Sequence, residues 1–569
     1  MYEQLSKYAL RVFSFFWMFI VFLDYWYYHQ GATYPSIKHF QYLDLVSVLV
    51  LVGVGSYLML HKFSSIEKPF LLANGLGVLL LFVLISTIIL LMHIPKLELP
   101  FTITSSDAFI LLGKTLIVLG ITYLIVTCCY VMGNFVFEQL FSVQLSKLES
   151  TILQIALGIL CLNIILFILG SLNLLKPIVI APLLIGSLLL FRKATWAFFK
   201  YTLLQPIQVK DKLNWIGFGS LMVILTFISL TFLQNNRPFP YGFDALAIYL
   251  NLPKLISEQN GLITGFSPYY WSLFVSLGFI LFDSLPIVIS LSVLGGILSG
   301  FTIYAICYKW LDRNYSLLTV ALFFSLPLVN HQSYRDVKTD LGLLFFMLVV
   351  VLVLLNYLLF IYPEKLKPQQ IVKRVRNKRS KKVASKKTVK PAVVQEETYS
   401  WLSTKISKEK EYLLLLGLLS GMVLGIKLTG LILIFSIIGI FTYIKTGTVG
   451  FLSSVTLFLF IILMGGLDIA SGLRPYHFSA SIFMWATLLI GTIGLGYLWM
   501  QQRKPLLEVV KNIMLYVAMV VVIYLPWPIK NFAETGQISI STLIEGKTTG
   551  VSKNIFKYLE NAKNNTSNK

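Results

Sequence analysis

Long apolar stretches separated by short polar segments recur along the whole chain. Most are close to the length of about 20 residues that an α-helix needs to cross a bilayer. The first seven are 9–28, 42–60, 69–93, 108–137, 150–172, 175–191 and 213–234. The later eight are 285–308, 315–330, 338–362, 412–426, 428–444, 449–466, 479–499 and 506–528. The pattern predicts an all-α polytopic membrane protein with about 15 transmembrane helices.

Two shorter segments follow the seventh stretch and do not fit a span. The run WSLFVSLGFILF, Trp271 to Phe282, has twelve residues before a charge, which predicts an interfacial or re-entrant helix. Its neighbours Tyr269 and Tyr270, with Trp271, are typical of an aromatic belt at a membrane surface. Pro253 interrupts LAIYLNLPKLI, which favours a short surface helix. We therefore expect short external juxtamembrane helices here.

Composition and charge agree with a membrane protein. The chain of 569 residues is 57% hydrophobic and 13% charged, whereas soluble domains carry roughly a quarter charged residues. The net charge of +22 is concentrated in residues 365–390, which hold 12 Lys or Arg and no acid. Such a loop between spans predicts a cytoplasmic segment that touches anionic membrane lipids, and not a nucleic-acid interface. The four cysteines lie in apolar stretches and form neither a disulfide framework nor a zinc spacing.

The distribution of basic residues predicts the topology. Counting spans back from the basic loop at 365–390, or forward from the basic segment 192–212, places Asp244 outside the cytoplasm. The same count places the N-terminus inside. The predicted regions are an N-terminal transmembrane region at 1–234, a core with two external loops at 235–363, a cytoplasmic loop without fixed structure at 364–410, a C-terminal transmembrane region at 411–530 and an external tail at 531–569.

The two external loops carry polar residues that suit phosphate chemistry. If residues 336–340 begin a helix, Asp336 and Asp340 are at i and i+4, roughly 6 Å apart at Cβ. Two such carboxylates can bind a divalent cation, Mg²⁺ or Mn²⁺, or one can act as a base. Arg335 and Lys338 beside them could bind a phosphate through charge-assisted hydrogen bonds.

Simpler roles are open for the same acids. Asp336 and Asp340 could be the acidic first turn of a helix, where they complement its dipole. Asp244 could cap the helix LAIYLNLPKLI. The residues alone leave these alternatives undecided.

The order of several motifs resembles that of membrane glycosyltransferases of the GT-C type. The resemblance rests on GFDALAIYLNLPKLI, SYRDVKTDLGLLFF, LLSGMVLGIKLTGLIL and LPWPIKNFAETGQ, which follow one another across residues 237 to 537. In this family the first loop often continues with a Tyr-His pair. Here Tyr249 is followed by Leu250, so a role for that histidine has no support.

The resemblance implies a lipid-linked sugar donor, a polyprenyl-phosphate sugar, and an acceptor glycan, lipid or protein outside the cytoplasm, as in cell-envelope glycosylation. By position, Asp244 is the catalytic base or a metal ligand, and Asp336 or Asp340 a metal or substrate contact. Lys427 and Lys530 are placed to meet the lipid phosphate. The remaining candidate substrate-binding residues of the loops are Arg237, Tyr249, Lys254, Arg335 and Lys338. The Lys-rich composition favours a bacterial inner membrane.

Three other functions are compatible with the pattern. A transporter or flippase of lipid-linked sugars usually needs ionisable residues within its spans, and these spans carry almost no acids at mid-depth. A polysaccharide polymerase or ligase differs by its long-chain product. A non-catalytic assembly subunit would form no glycosidic bond.

Overall fold

The computed structural model describes residues 75–93, 105–204, 214–235, 249–263, 268–326, 328–329, 332, 338–362, 407–461 and 480–535. All regular secondary structure in these residues is helical. The principal α-helices are α1 (Gly75–His93), α2 (Ser105–Leu140), α3 (Lys147–Ser171), α4 (Pro177–Leu190), α5 (Arg192–Phe199), α6 (Trp215–Gln234), α7 (Asn251–Gln259), α8 (Tyr270–Val275), α9 (Leu277–Phe282), α10 (Leu285–Cys307), α11 (Arg313–Ser325), α12 (Asp340–Ile361), α13 (Lys408–Ile426), α14 (Leu431–Ile461), α15 (Ala480–Gln501), α16 (Arg503–Tyr524) and α17 (Pro526–Thr535). A π-helical turn, Lys200–Leu204, and a 3-10 turn, Leu428–Gly430, complete them.

Several helices begin at polar residues that satisfy their free backbone N–H groups. Ser146 and Glu149 form a capping box at the start of α3. Asp312 accepts hydrogen bonds from the N–H groups of Asn314 and Tyr315 at the start of α11. Because these contacts join residues close in sequence, they fix where the helices start independently of the rest of the fold.

The helices lie where the apolar stretches predict them. By length and composition seven helical stretches of the described residues could cross a membrane, among them Leu428–Ile461, which is interrupted at Gly447. The number is up to eight if the bent pair Pro177–Leu190 and Arg192–Leu204 counts as one span. This is the architecture of an all-α membrane protein. The count of about 15 spans stays a prediction, and the first two predicted spans, 9–28 and 42–60, lie outside the described residues.

Helix α14 is a hairpin and not one long rod. Phe435 and Phe458 stack with ring centroids 4.0 Å apart, whereas 23 residues of straight helix would separate them by roughly 34 Å. Ser454 also donates a hydrogen bond to Thr442 at 2.8 Å. The chain reverses at Gly447, whose φ of 71° and ψ of −158° are accessible almost only to glycine. The turn lies between the predicted spans 428–444 and 449–466.

The helix ends gather at two opposite ends of the bundle. At one, the Lys427 end, Leu175 at the start of α4 bonds Asn260 after α7, and Lys427 after α13 pairs with Asp340 of α12. At the other, the Lys309 end, Lys309 after α10 pairs with Glu149 of α3. Within the described residues, the loops predicted to be external lie at the Lys427 end, and the loops predicted to be internal lie at the Lys309 end. Which end faces the cytoplasm stays a prediction.

The short segment α8–α9 lies inside the bundle at the Lys427 end. Tyr269, Tyr270 and Trp271 are 3%, 0% and 1% exposed, and α8 packs against α3, α10 and α13. The prediction that these aromatic residues form a belt at the membrane surface is therefore wrong. Their rings are buried by protein because helices on several sides close over them. Whether this segment is interfacial or re-entrant stays a prediction.

Candidate functional site

An ion pair between two predicted site residues marks the Lys427 end. Nζ of Lys427 lies 2.8 Å from Oδ1 of Asp340. The two side chains are 38% and 29% exposed, so the pair is partly shielded and still accessible. The amide of Gln332 donates a longer hydrogen bond, 3.5 Å, to the other carboxylate oxygen.

Helix ends place both charges of this pair. Helix α13 stops at Ile426, and Lys427 takes an extended conformation before the 3-10 turn. Asp340 is the first residue of α12. The partial negative charge at a helix C-terminus favours a cation, and the partial positive charge at an N-terminus favours an anion. Each residue therefore has the sign that its own helix end stabilises, and the two ends face each other.

A buried aromatic floor lies next to the pair. Gly342, in the first turn of α12, packs on the Trp271 indole, and Gly425, in the last turn of α13, packs on the Tyr270 ring. A Cβ atom at either glycine would overlap the ring. The Tyr270 hydroxyl donates to the carbonyl of Ile523 at 2.9 Å. Glycine thus lets both helix ends approach α8, which holds Asp340 and Lys427 in place.

Lys530 lies within packed protein. It is 8% exposed, and its Nζ donates to the carbonyl of Ile263 at 2.9 Å. The Tyr269 hydroxyl accepts from the N–H of the same Ile263 at 2.9 Å. Trp527, in the same helix as Lys530 and fully buried, contacts the Tyr269 ring at a tilt of 56°, with centroids 4.3 Å apart. The predicted contact of Lys530 with a lipid phosphate is untested, and its observed partner is a backbone carbonyl.

Three other predicted binding residues are also described. Lys254 pairs with Asp283 at 2.6 Å and lies 4.0 Å from Glu258, so acids already neutralise it. The carbonyl of Lys338 accepts a hydrogen bond from the hydroxyl of Ser292 at 3.2 Å. Tyr249 is half-buried just before α7. None of these contacts brings the three side chains to the Asp340 carboxylate.

The i and i+4 arrangement of Asp336 and Asp340 stays a prediction. Helix α12 begins at Asp340, and Lys338 and Thr339 before it are not helical. Asp336 lies outside the described residues, as do Asp244, Arg237 and Arg335, so their predicted roles stay predictions. Within the described residues, no group of three or more His, Cys, Asp or Glu side chains could hold a metal ion, and the Mg²⁺ or Mn²⁺ ion also stays a prediction.

Buried charges at the opposite end form a second cluster. Glu149 pairs with Lys309, which also donates to Oδ1 of Asn356 at 2.9 Å. Glu411 is fully buried and accepts the N–H of Ser142 at 2.7 Å. In sequence only the spacing Ser-Lys-Leu-Glu of the α3 capping box points to a defined position for Glu149. The pairing itself joins residues far apart in the chain, which explains why the sequence did not predict it.

Comparisons with protein-family models, curated proteins and solved structures find no match for this chain. The resemblance to GT-C enzymes therefore rests on the ordered motifs alone.

Proposed function

We propose that this protein is a membrane glycosyltransferase that moves a sugar from a polyprenyl-phosphate donor to an acceptor outside the cytoplasm. The observation that supports it most is the pair of Asp340 and Lys427. These residues belong to two separate motifs and are 87 positions apart in sequence, yet they lie 2.8 Å apart. Helix α7, which follows Asp244 in sequence, lies at the same end of the bundle.

In this proposal Asp244 is the general base. It accepts the proton of an acceptor hydroxyl while that oxygen attacks the anomeric carbon of the sugar. The bond between the anomeric carbon and the donor phosphate oxygen breaks, and its electron pair leaves with polyprenyl phosphate. The configuration at the anomeric carbon is inverted. A cation is therefore needed beside the phosphate group that takes up this negative charge.

Lys427 is suited to the leaving phosphate. An ammonium group has three donors, and Asp340 accepts from one of them. The others remain available for phosphate oxygens, and the 38% exposure of the side chain leaves room for them. Asp340 fixes the position of the ammonium group. If a divalent cation takes part, Asp340 and Asp336 are its proposed ligands. The proposed location is a bacterial inner membrane, with the N-terminus in the cytoplasm.

Sugar transfer by purified full-length protein tests the base. Radiolabelled polyprenyl-phosphate hexoses and pentoses are the donors, and glycosidic product and released polyprenyl phosphate are both measured. We expect Asp244→Asn to lower the rate about 10² to 10⁴-fold, the usual contribution of a general base. Glu138→Gln is the control, because this acid is exposed at the end of α2, away from the Lys427 end, and contacts none of the described candidate site residues.

A second variant tests the phosphate contact. Lys427→Met should raise the KM for the donor, while Lys504→Met, an exposed lysine at the opposite end, should not. Full activity of Asp244→Asn would refute the assignment of the base. Movement of labelled lipid between leaflets without a glycosidic bond would identify a transporter instead.

A further inference from the structure

An elbow joins α4 and α5 at the Lys309 end. The two helices meet at Phe191, and the bend between Pro177–Leu190 and Arg192–Leu204 is 81°. The hydroxyl of Thr195 donates to the carbonyl of Leu188 at 3.0 Å and to that of Phe191 at 3.2 Å. One side chain thus holds the backbone on both sides of the bend.

The inner face of α5 is anchored to α2. Phe198 is buried, and its ring stacks on Tyr130 with centroids 4.3 Å apart and on Tyr123 at 5.8 Å. Because α4 begins at the Lys427 end and is long enough to cross much of a bilayer, α5 lies at the opposite surface. The 81° bend sets α5 nearly perpendicular to α4.

Beside the elbow lies a shallow, open cleft of about 630 Å³. Its surface is almost wholly apolar, and Arg192 and Lys193 line it chiefly through the carbon atoms of their side chains. The residues that matter are Leu188, Leu189, Arg192, Lys193, Trp196 and Phe199. Leu189 and Trp196 are 70% and 63% exposed. Among the described residues that line the cleft there is no acid.

We propose that this elbow binds one anionic phospholipid of the membrane leaflet at the Lys309 end. The phosphate of the headgroup pairs with Arg192 and Lys193, since basic groups at the membrane surface attract anionic lipids. An acyl chain lies along Leu188 and Leu189 of α4. Trp196 lies at the level of the glycerol, the depth that tryptophan prefers.

The apolar surface and the two basic side chains together favour an anionic phospholipid over other ligands. A free phosphate would use the two cations and leave the apolar surface uncovered, whereas a zwitterionic lipid would cover that surface and bring its own cation to Arg192 and Lys193. The cleft is also at the end of the bundle opposite to Lys427, so the proposal does not depend on the donor site.

Native mass spectrometry of the full-length protein in detergent tests the proposal, with phosphatidylglycerol and phosphatidylcholine as probes. We expect one phosphatidylglycerol to bind wild type about 25-fold more tightly than the double variant Arg192→Gln, Lys193→Gln, about fivefold for each cation. The matched control is Arg503→Gln with Lys504→Gln. These two residues are also adjacent and exposed at the Lys309 end but lie outside the cleft, and we expect the control to bind like wild type.

Quenching by brominated phosphatidylglycerol provides a second measurement. Wild type should lose more tryptophan fluorescence than Trp196→Phe. When Arg192→Gln and Lys193→Gln are present in both proteins, the two should lose the same fraction. Equal affinities of wild type and the double variant, equal binding of the two lipids, or no quenching of Trp196 would each overturn the proposal. Displacement of phosphatidylglycerol by an equal amount of polyprenyl phosphate would also overturn it, because the cleft would then select the carrier lipid.

Discussion

The crossing of α10 and α12 depends on the absence of a side chain at Gly295. A Cβ atom there would lie 2.6 Å from the backbone nitrogen of Gly342 and 2.7 Å from the carbonyl carbon of Leu341. Ordinary contact begins at 3.4 Å, so Gly295→Ala must separate the backbones by about 0.8 Å, a gap that forfeits a quarter to a half of each facing dispersion contact. Since the obstacle is backbone, rotation of a side chain cannot relieve it.

The expected change in the free energy of unfolding is the sum of two opposing effects. Alanine in a helix interior is more favourable than glycine by up to about 1 kcal/mol. Overpacking in a close-packed core costs about 1–3 kcal/mol. We expect Gly295→Ala to destabilise the protein by about 1–2 kcal/mol, with a lower melting temperature. Gly120→Ala in α2 is the matched control, because no atom lies within 4 Å of its added Cβ, and it should be neutral or stabilising.

Thermal unfolding in one detergent can be followed with a thiol-reactive fluorophore. Cys128 and Cys129 are buried in the native protein and react when the helices separate. A melting temperature of Gly295→Ala at or above that of wild type would refute the steric argument. If Gly120→Ala lowers the melting temperature as much as Gly295→Ala, the effect comes from alanine at any of these helical positions and not from the contact between α10 and α12.

Two further predictions concern the buried charges and the α14 turn. Lys309→Met should destabilise the protein by about 3–5 kcal/mol, because it leaves Glu149 buried without its cation. Adding Glu149→Gln should recover most of this loss in the same unfolding assay, and no recovery would show that the ion pair is not its cause. Gly447→Ala should cost about 1–3 kcal/mol through its backbone conformation alone, since its added Cβ meets no atom within 4 Å. An unchanged melting temperature would contradict this.

The positions of the helices follow from local signals in the sequence. Long apolar stretches predict the helices within the described residues, and the Ser146 and Asp312 caps mark two starts. The alternation of basic and uncharged loops predicts which helix ends lie together. These features depend on residues near one another in the chain and on lipid as solvent, and so they can be read without a tertiary structure.

The site could be predicted only as separate candidates. Motifs in different parts of the chain marked Asp340 and Lys427 as candidates. Only the tertiary structure places Nζ of Lys427 2.8 Å from Oδ1 of Asp340. It also shows that α12 begins at Asp340 itself.

Hydropathy cannot distinguish a protein interior from lipid, because both are apolar. For that reason Tyr269, Tyr270 and Trp271 could be placed equally well at a membrane surface or in a core. Their burial was decided by Gly342 and Gly425, which let two distant helix ends close over α8. The sequence by itself therefore determined where the helices lie along the chain and which helix ends lie together. The tertiary structure decided which apolar faces meet protein, because that depends on contacts between residues far apart in the chain.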